Sequence, residues 1–197
     1  EDYLDAAAQL GYLPMFTLAL TAGLRQRELI ALKWLDLNAK EHTLTVHEGR
    51  VVERRKLVEY TGETRTISLP HQTVQLLEQE HASHPSSPYM FPHPGTLKPY
   101  SPNMVRLLHK RVTEQAGLDH IRFVDLRHTC AALALQGGME VSELSKMLGH
   151  SRIDMTCQNY AAYLPRQNRQ KTKIPAVDVK SEELIKAAEQ LGNLIKF

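Results

Sequence analysis

Between His42 and Leu69 the apolar residues of this chain change from helical to alternating spacing, and after Pro70 they change back. His42-Thr-Leu-Thr-Val-His47 alternates, Thr64-Arg-Thr-Ile-Ser-Leu69 alternates again, and Arg50 to Val58 between them is rich in valine and charge. Thr61-Gly62 supplies a turn between the last two runs. Three such runs make a small antiparallel sheet, not a β domain. Helical spacing surrounds them. Tyr3 to Thr21 reads as two helices interrupted near Gly11 and Pro14, and after a break at Gly23 the pattern resumes over Gln26 to Trp34. Beyond Pro70 a helix carries Val74, Leu76 and Leu77, and residues 83–100, with five prolines and Gly95, predict a long ordered loop. Further helices are expected at about 101–116, 125–136, 141–148 and 152–162, with Gly117, Gly137 and Gly149 as stops. A polar stretch from Gln167 to Lys180 then leads to a last amphipathic helix carrying Leu184, Ile185, Ala188, Leu191 and Ile195 on one face. The expected fold class is α+β, mainly α-helical, with a small three-stranded antiparallel sheet and a C-terminal tail helix.

At 197 residues, with 42% hydrophobic and 23% charged residues, the chain can bury one sizeable core and is neither disordered nor collagen-like. A net charge of +2 excludes a globally basic nucleic-acid binder but leaves room for a local basic site. No apolar run is long enough to span a bilayer. Cys130 and Cys157 are too few for a disulfide scaffold and read as reduced, buried small hydrophobes. The chain opens Glu-Asp-Tyr, without a signal peptide or initiator Met, and so reads as a piece of a longer protein.

Four residues form a kit for phosphoryl transfer. Arg25 follows a Gly-Leu turn at a helix start, Arg127 lies in Val124-Asp-Leu-Arg-His128, His150 ends Leu148-Gly-His, and Tyr160 follows one short helix later. A guanidinium fork holds two phosphate oxygens, an imidazole holds or supplies a proton, and a phenolic oxygen can attack phosphorus. Taken singly, each also has an ordinary explanation as a solvated charge, a packing ring or a helix end.

Their order is what distinguishes them. Thr21-Ala-Gly-Leu-Arg-Gln-Arg-Glu-Leu-Ile-Ala-Leu-Lys-Trp34 resembles the first arginine box of the tyrosine recombinase (phage integrase) family. Asp125-Leu-Arg-His-Thr129 resembles its second arginine box, and Leu148-Gly-His150 with Met155-Thr-Cys-Gln-Asn-Tyr160 resembles its histidine and nucleophile region, in the style of integrases from conjugative transposons and phages of Gram-positive bacteria. The resemblance implies a bacterial, cytoplasmic, nucleoid-associated enzyme that uses no cofactor. It would be a site-specific recombinase in which Arg25, Arg127 and His150 hold a DNA phosphate while Tyr160 attacks it, leaving a 3′-phosphotyrosyl link. Residues 1–165 would be the catalytic domain and 166–197 a linker and helix exchanged between protomers, with an N-terminal DNA-binding domain missing. Its partners would be duplex DNA and three further copies, as a homo-tetramer on paired sites, with a monomer or weak oligomer otherwise and no membrane.

The chain departs from the family twice. The histidine or lysine usual three residues before the second arginine is replaced by Val124, which cannot hold a proton. His128, one step from Arg127 along the helix, is expected to point about 100° away and to substitute poorly. The hairpin lysine that protonates the leaving oxygen would fall near Glu59-Tyr60-Thr61, where there is none, so Lys56 is the nearest candidate for general acid. Around it Arg50, Arg54 and Arg55 make either a DNA-facing hairpin or a solvated edge, and Arg106, Lys110 and Arg111 either track the DNA backbone or form a solvated helix face. Tyr163 is expected to pack or to touch phosphate. His81, His84 and His93 are read as loop histidines because no cysteine or carboxylate cluster completes a metal set. A second function fits the departures: a recombinase-derived DNA-binding module with impaired or lost cleavage. A third, a metal phosphodiesterase built on the loop histidines, would be sensitive to chelator.

Overall fold

The computed structural model describes residues 2–47, 50–53, 56–59, 64–160 and 163. Helices α1 (Asp2–Gln9) and α2 (Leu13–Ala22) are separated by Gly11 at φ +76°, and Pro14 lies in the first turn of α2, where a missing N–H costs nothing. Every residue of α2 from Met15 to Ala22 is buried, so this helix runs through the core, not over it. Gly23 ends it at φ +59°, and a Cβ there would stand 2.9 Å from Leu148 Cδ2 and 3.2 Å from Cys130 Sγ. Both the left-handed turn and the close approach require glycine.

Helix α3 (Gln26–Ala31) is shorter than its spacing predicts, and a single 3-10 turn (Trp34–Asp36) replaces its last residues. The proline-rich loop is the reason. Trp34 N–H donates to Pro88 C=O and Met90 N–H donates to Leu32 C=O, both at 3.0 Å, so this backbone pairs across to the loop rather than continuing a helix. The loop is ordered as expected, with Met90 and Phe91 buried beneath it.

The alternating block holds a three-stranded antiparallel sheet, but not from the three runs expected. Its strands are β1 (Leu37–Asn38), β2 (Thr43–His47) and, after an intervening hairpin, β5 (Thr64–Ser68), in the order β1-β2-β5. Leu44 stands opposite Ile67 on the buried face. β2 gives one edge to β1 and the other to β5, which leaves no place for a strand between them. The Arg50–Val58 run therefore folds on itself as a separate hairpin, β3 (Arg50–Glu53) with β4 (Lys56–Glu59).

Helices α4 (His71–Ser83), α5 (Pro102–Gln115), α6 (Phe123–Gln136), α7 (Val141–Leu148) and α8 (Ile153–Tyr160) follow. Ser101 caps α5 by accepting from Met104 N–H at 3.3 Å. α6 begins two residues earlier than expected, which brings Val124 into its first turn. Gly117 and Gly149 adopt left-handed stops, whereas after α6 it is Gly138, not Gly137, that takes the positive φ. Phe16 sits at the centre of the main core, edge-on to Tyr3 and close to Phe123. A second cluster joins Ala131, Ala134 and Leu135 of α6, Leu144 and Leu148 of α7, and Tyr160 of α8. None of the described helices is long and apolar enough to cross a membrane. The expected linker and tail helix lie outside the described residues.

Candidate active site

The site assembles where α7 ends. The last carbonyls of a helix have no intrahelical partner and carry the negative end of its dipole, so they attract guanidinium groups. Arg127, from the middle of α6 and only 6% exposed, donates Nη2 to Leu148 C=O at 2.5 Å and Nη1 to Gly23 C=O at 2.7 Å. Arg25, at the start of α3, donates Nη2 to the next carbonyl, Gly149 C=O, at 3.0 Å. Two arginines from distant boxes thus meet on successive carbonyls of one turn. Burial and the charge of Arg25 hold the Arg127 guanidinium down to about 10, where it is still protonated at neutral pH.

Arg25 is held from behind by a brace. Glu28, one turn along α3 and buried, accepts the Arg25 backbone N–H at 2.7 Å and Arg25 Nη1 at 2.8 Å. Arg65 of β5 grips both oxygens of the same carboxylate at 3.0 and 2.9 Å and donates Nε to Met147 C=O at 2.8 Å. Burial alone would raise the Glu28 carboxyl, but the hydrogen bonds and charges of Arg65 and Arg25 outweigh it and hold the group below its ordinary value. The ring α3–β5–α7 thereby fixes the first arginine against the turn that carries His150.

His150 stands between the arginines and α8. Its Nε2 lies 3.1 Å from Arg127 Nη2, and its Nδ1 lies 2.7 Å from the hydroxyl of the fully buried Thr156. A guanidinium can only donate, so Nε2 accepts and the ring proton sits on Nδ1. Burial, then the charges of Arg127, Arg25 and Arg65, push His150 down to about 4, so it is neutral at pH 7. Thr156 and Tyr160 lie four residues apart on α8 and both point inward. Tyr160 is 2% exposed, and burial pushes its phenol up to about 12 against the lowering effect of Arg127.

His128 corrects the expectation that it points away from the site: its Nδ1 lies 3.1 Å from the Tyr160 hydroxyl. The relevant spacing is to Val124, not to Arg127. Residues 124 and 128 are one turn apart on one face of α6. Val124, 42% exposed, lines a pocket with Arg25, Gln26, Arg106, Arg122 and Arg127.

The remaining candidates scatter. Lys56 falls in β4 opposite Glu53, and Arg54 and Arg55 lie outside the described residues. Arg106 bonds to Asn103 and borders the Val124 pocket. Lys110 pairs with Glu114 at 3.4 Å on the exposed side of α5, and Arg111 is exposed beside it. Tyr163 packs on the α6–α7–α8 cluster. The three histidines have structural partners: His81, which lies in the last turn of α4 and not in the loop, stacks on Trp34, His84 Nε2 lies 3.1 Å from Met90 C=O, and His93 meets the ring of Tyr100. Among the described residues no three His, Cys, Asp or Glu side chains are grouped to hold a metal ion. Cys130 is buried as expected, but Cys157 is only half-buried. Sequence reasoning missed Glu28, Arg65 and Thr156. Arg65 shares the inward face of β5 with the buried Ile67, and an arginine there demands a buried counter-charge.

The profile of the phage integrase family matches residues 2–166. The chain belongs to this family. It is 24% identical over 180 residues to a tyrosine recombinase XerC-like protein of Caldanaerobacter subterraneus subsp. tengcongensis, covering 78% of this chain and 46% of that protein. It is 25% identical over 185 residues to the ICEBs1 integrase of Bacillus subtilis, covering 86% and 49%. The chain thus spans about half the length of these family members. Its fold is that of the XerA recombinase (TM-score 0.67, 19% identity, 84% of this chain and 62% of that one). It is shared as well by the Tn1549 transposon integrase solved with circular intermediate DNA (TM-score 0.71, 16% identity, 94% and 64%).

Proposed function

We propose that this chain is the catalytic domain of a site-specific DNA recombinase that cuts and rejoins strands through a 3′-phosphotyrosyl intermediate. The observation that carries the proposal is the meeting of Arg25 and Arg127 on the successive carbonyls of Leu148 and Gly149, with His150 hydrogen-bonded to one of them. Carbonyl oxygens hold these N–H groups without cancelling their charge, and a phosphodiester offers the same acceptors with a formal negative charge. An open cleft lined by Arg25, Arg65, Lys146 and His150 reaches the first arginine, and the pocket beside Val124 reaches both. Two guanidinium forks aimed at the non-bridging oxygens would stabilise the extra charge of a pentacoordinate phosphorus, and each lost donor costs roughly 10²–10³ in rate. Tyr160 attacks the phosphorus, the 5′-oxygen leaves, and the ester keeps the bond's free energy so that a 5′-hydroxyl can reseal it without a nucleotide. Tyr160 is 2% exposed, so α8 must shift for the phenol to reach the cleft.

The substrate is duplex DNA, supported by the nucleic-acid complexes among structures sharing this fold. Residues 1–165 form the catalytic domain in this reading. Segment 166–197, whose apolar face follows a polar linker, docks on a neighbour in a tetramer built on paired sites. The test is a duplex nicked beside the cleavage site, which traps the covalent adduct by losing the short 5′-ended strand. Adduct that forms in the chain, disappears in Tyr160→Phe and persists in EDTA supports the recombinase. Val124, an aliphatic side chain beside the arginines, favours a second reading as a DNA-binding module without cleavage. Tight binding without adduct, even in Val124→His, would establish that module instead.

A further inference from the structure

We propose that His128 is the proton acceptor for the Tyr160 hydroxyl during strand cleavage, an inference that rests on the reading of Tyr160 as nucleophile. A general base must lie within hydrogen-bond reach of the proton it takes, and His128 Nδ1 is 3.1 Å from the phenolic oxygen, with the rings 5.6 Å apart and tilted by 58°. The other nearby imidazole is already committed. His150 accepts from Arg127 through Nε2 and donates from Nδ1 to Thr156, so taking a proton from tyrosine would break its bond to the arginine. It is also ringed by Arg127, Arg25 and Arg65, which resist a further positive charge. Val124, one turn before His128 on the same face of α6, has no acceptor to offer.

The surroundings of His128 suit a base that is neutral at rest. Burial disfavours its imidazolium, Asp125 on the preceding turn of α6 favours it, and Arg122 and Arg127 disfavour it, with a net lowering that keeps the lone pair free at neutral pH. Asp125 still supplies a negative charge to the imidazolium once it forms. Tyr160 needs the help: with its phenol pushed up to about 12, roughly one molecule in 10⁵ is ionised at pH 7 unaided. In the step itself the O–H bond of Tyr160 breaks and its proton passes to Nδ1 of His128. The phenolic oxygen bonds to phosphorus as the bond to the 5′-oxygen breaks, and that oxygen takes a proton from water. The hydroxide so formed is neutralised by the proton of His128. In rejoining, the 5′-hydroxyl attacks phosphorus and the phenol regains a proton by the same route.

The test is single-turnover adduct formation on the nicked duplex by the full chain and by His128→Asn, whose side-chain amide can still bond to the phenol but cannot take its proton. At pH 7 the variant is expected to be slower by roughly 10²–10⁴. The parent rate should level off above the imidazole's ionisation, while the variant's rate keeps climbing with hydroxide, so the deficit shrinks about tenfold per pH unit. Retained helical circular dichroism confirms that the variant folds; if it does not fold, His128→Gln takes its place with the same expectations. Equal rates with the same pH profile would overturn the inference and leave the nucleophile standing. A faster variant would overturn it too, because His128 would then restrain Tyr160 instead of activating it. Adduct that survives Tyr160→Phe would remove the nucleophile reading itself.

Discussion

The two halves of the candidate site are built on opposite plans. The arginine half is tied down: Glu28 is gripped by two guanidiniums, Arg65 reaches the Met147 carbonyl, and Arg25 and Arg127 occupy neighbouring carbonyls. The tyrosine half hangs on little. α8 is an eight-residue helix, its first three residues are exposed, and among the described residues the phenol has one hydrogen bond, to His128. A phosphate-holding surface works best rigid, because donors that need not reorganise stabilise charge at no further cost. A nucleophile that starts buried has to travel, and a short helix with few polar ties moves cheaply.

The sharpest way to break this contrast is to cut the brace. Arg65→Met leaves Glu28 buried with one of its arginines gone, and unfolding in urea should show a loss of about 3–5 kcal/mol with an unchanged denaturant slope. If the loss is below 1 kcal/mol, the arginine half is no more rigid than the tyrosine half. Gly23→Ala comes next, at about 1–3 kcal/mol, because alanine must adopt φ +59° and its methyl would press on Leu148 and Cys130. Adduct formation should fall with it, since the Gly23 carbonyl holds Arg127. Tyr160→Phe should remove all adduct yet cost only about 1 kcal/mol of stability, the worth of one hydrogen bond. The last effect appears only in acid. His150 takes a proton near pH 6.5 when unfolded but resists until about 4 when folded, so stability is fully present above pH 6.5 and declines as pH falls towards 4. His150→Gln should flatten that part of the pH–stability curve.

Much of this arrangement was legible in the chain. The change of period marks β2 and β5 but not β1, the glycines mark the turns at Gly11, Gly23 and Gly149, and the arginine boxes name Arg25 and Arg127. What stayed hidden depends on pairings between distant segments. Arg65 and Glu28 are 37 residues apart, and the Thr64-Arg-Thr-Ile run reads as an ordinary strand until β5 is known to lie against α3 and α7. The hairpin of β3 and β4 reads as one run because alternation records which side a residue faces, not which strand it pairs with. The angle between His128 and Arg127 hides the role of His128, because Tyr160 approaches the face that His128 shares with Val124.

The brace also sets how the molecule feels salt. Arg25, Arg65 and Arg127 face a single carboxylate, Glu28, so this one corner holds an excess of two positive charges, equal to the formal net charge of the entire chain. Everywhere else 21 basic residues (24 less three) balance 21 acidic ones (22 less one). A polyanion seated at this corner would meet these guanidinium groups and Lys146, which lines the same cleft, and would displace the ions held there. Seating one phosphate in this corner releases about one counterion, so that step alone should depend only gently on ionic strength, and a steep salt dependence would mark phosphate contacts elsewhere.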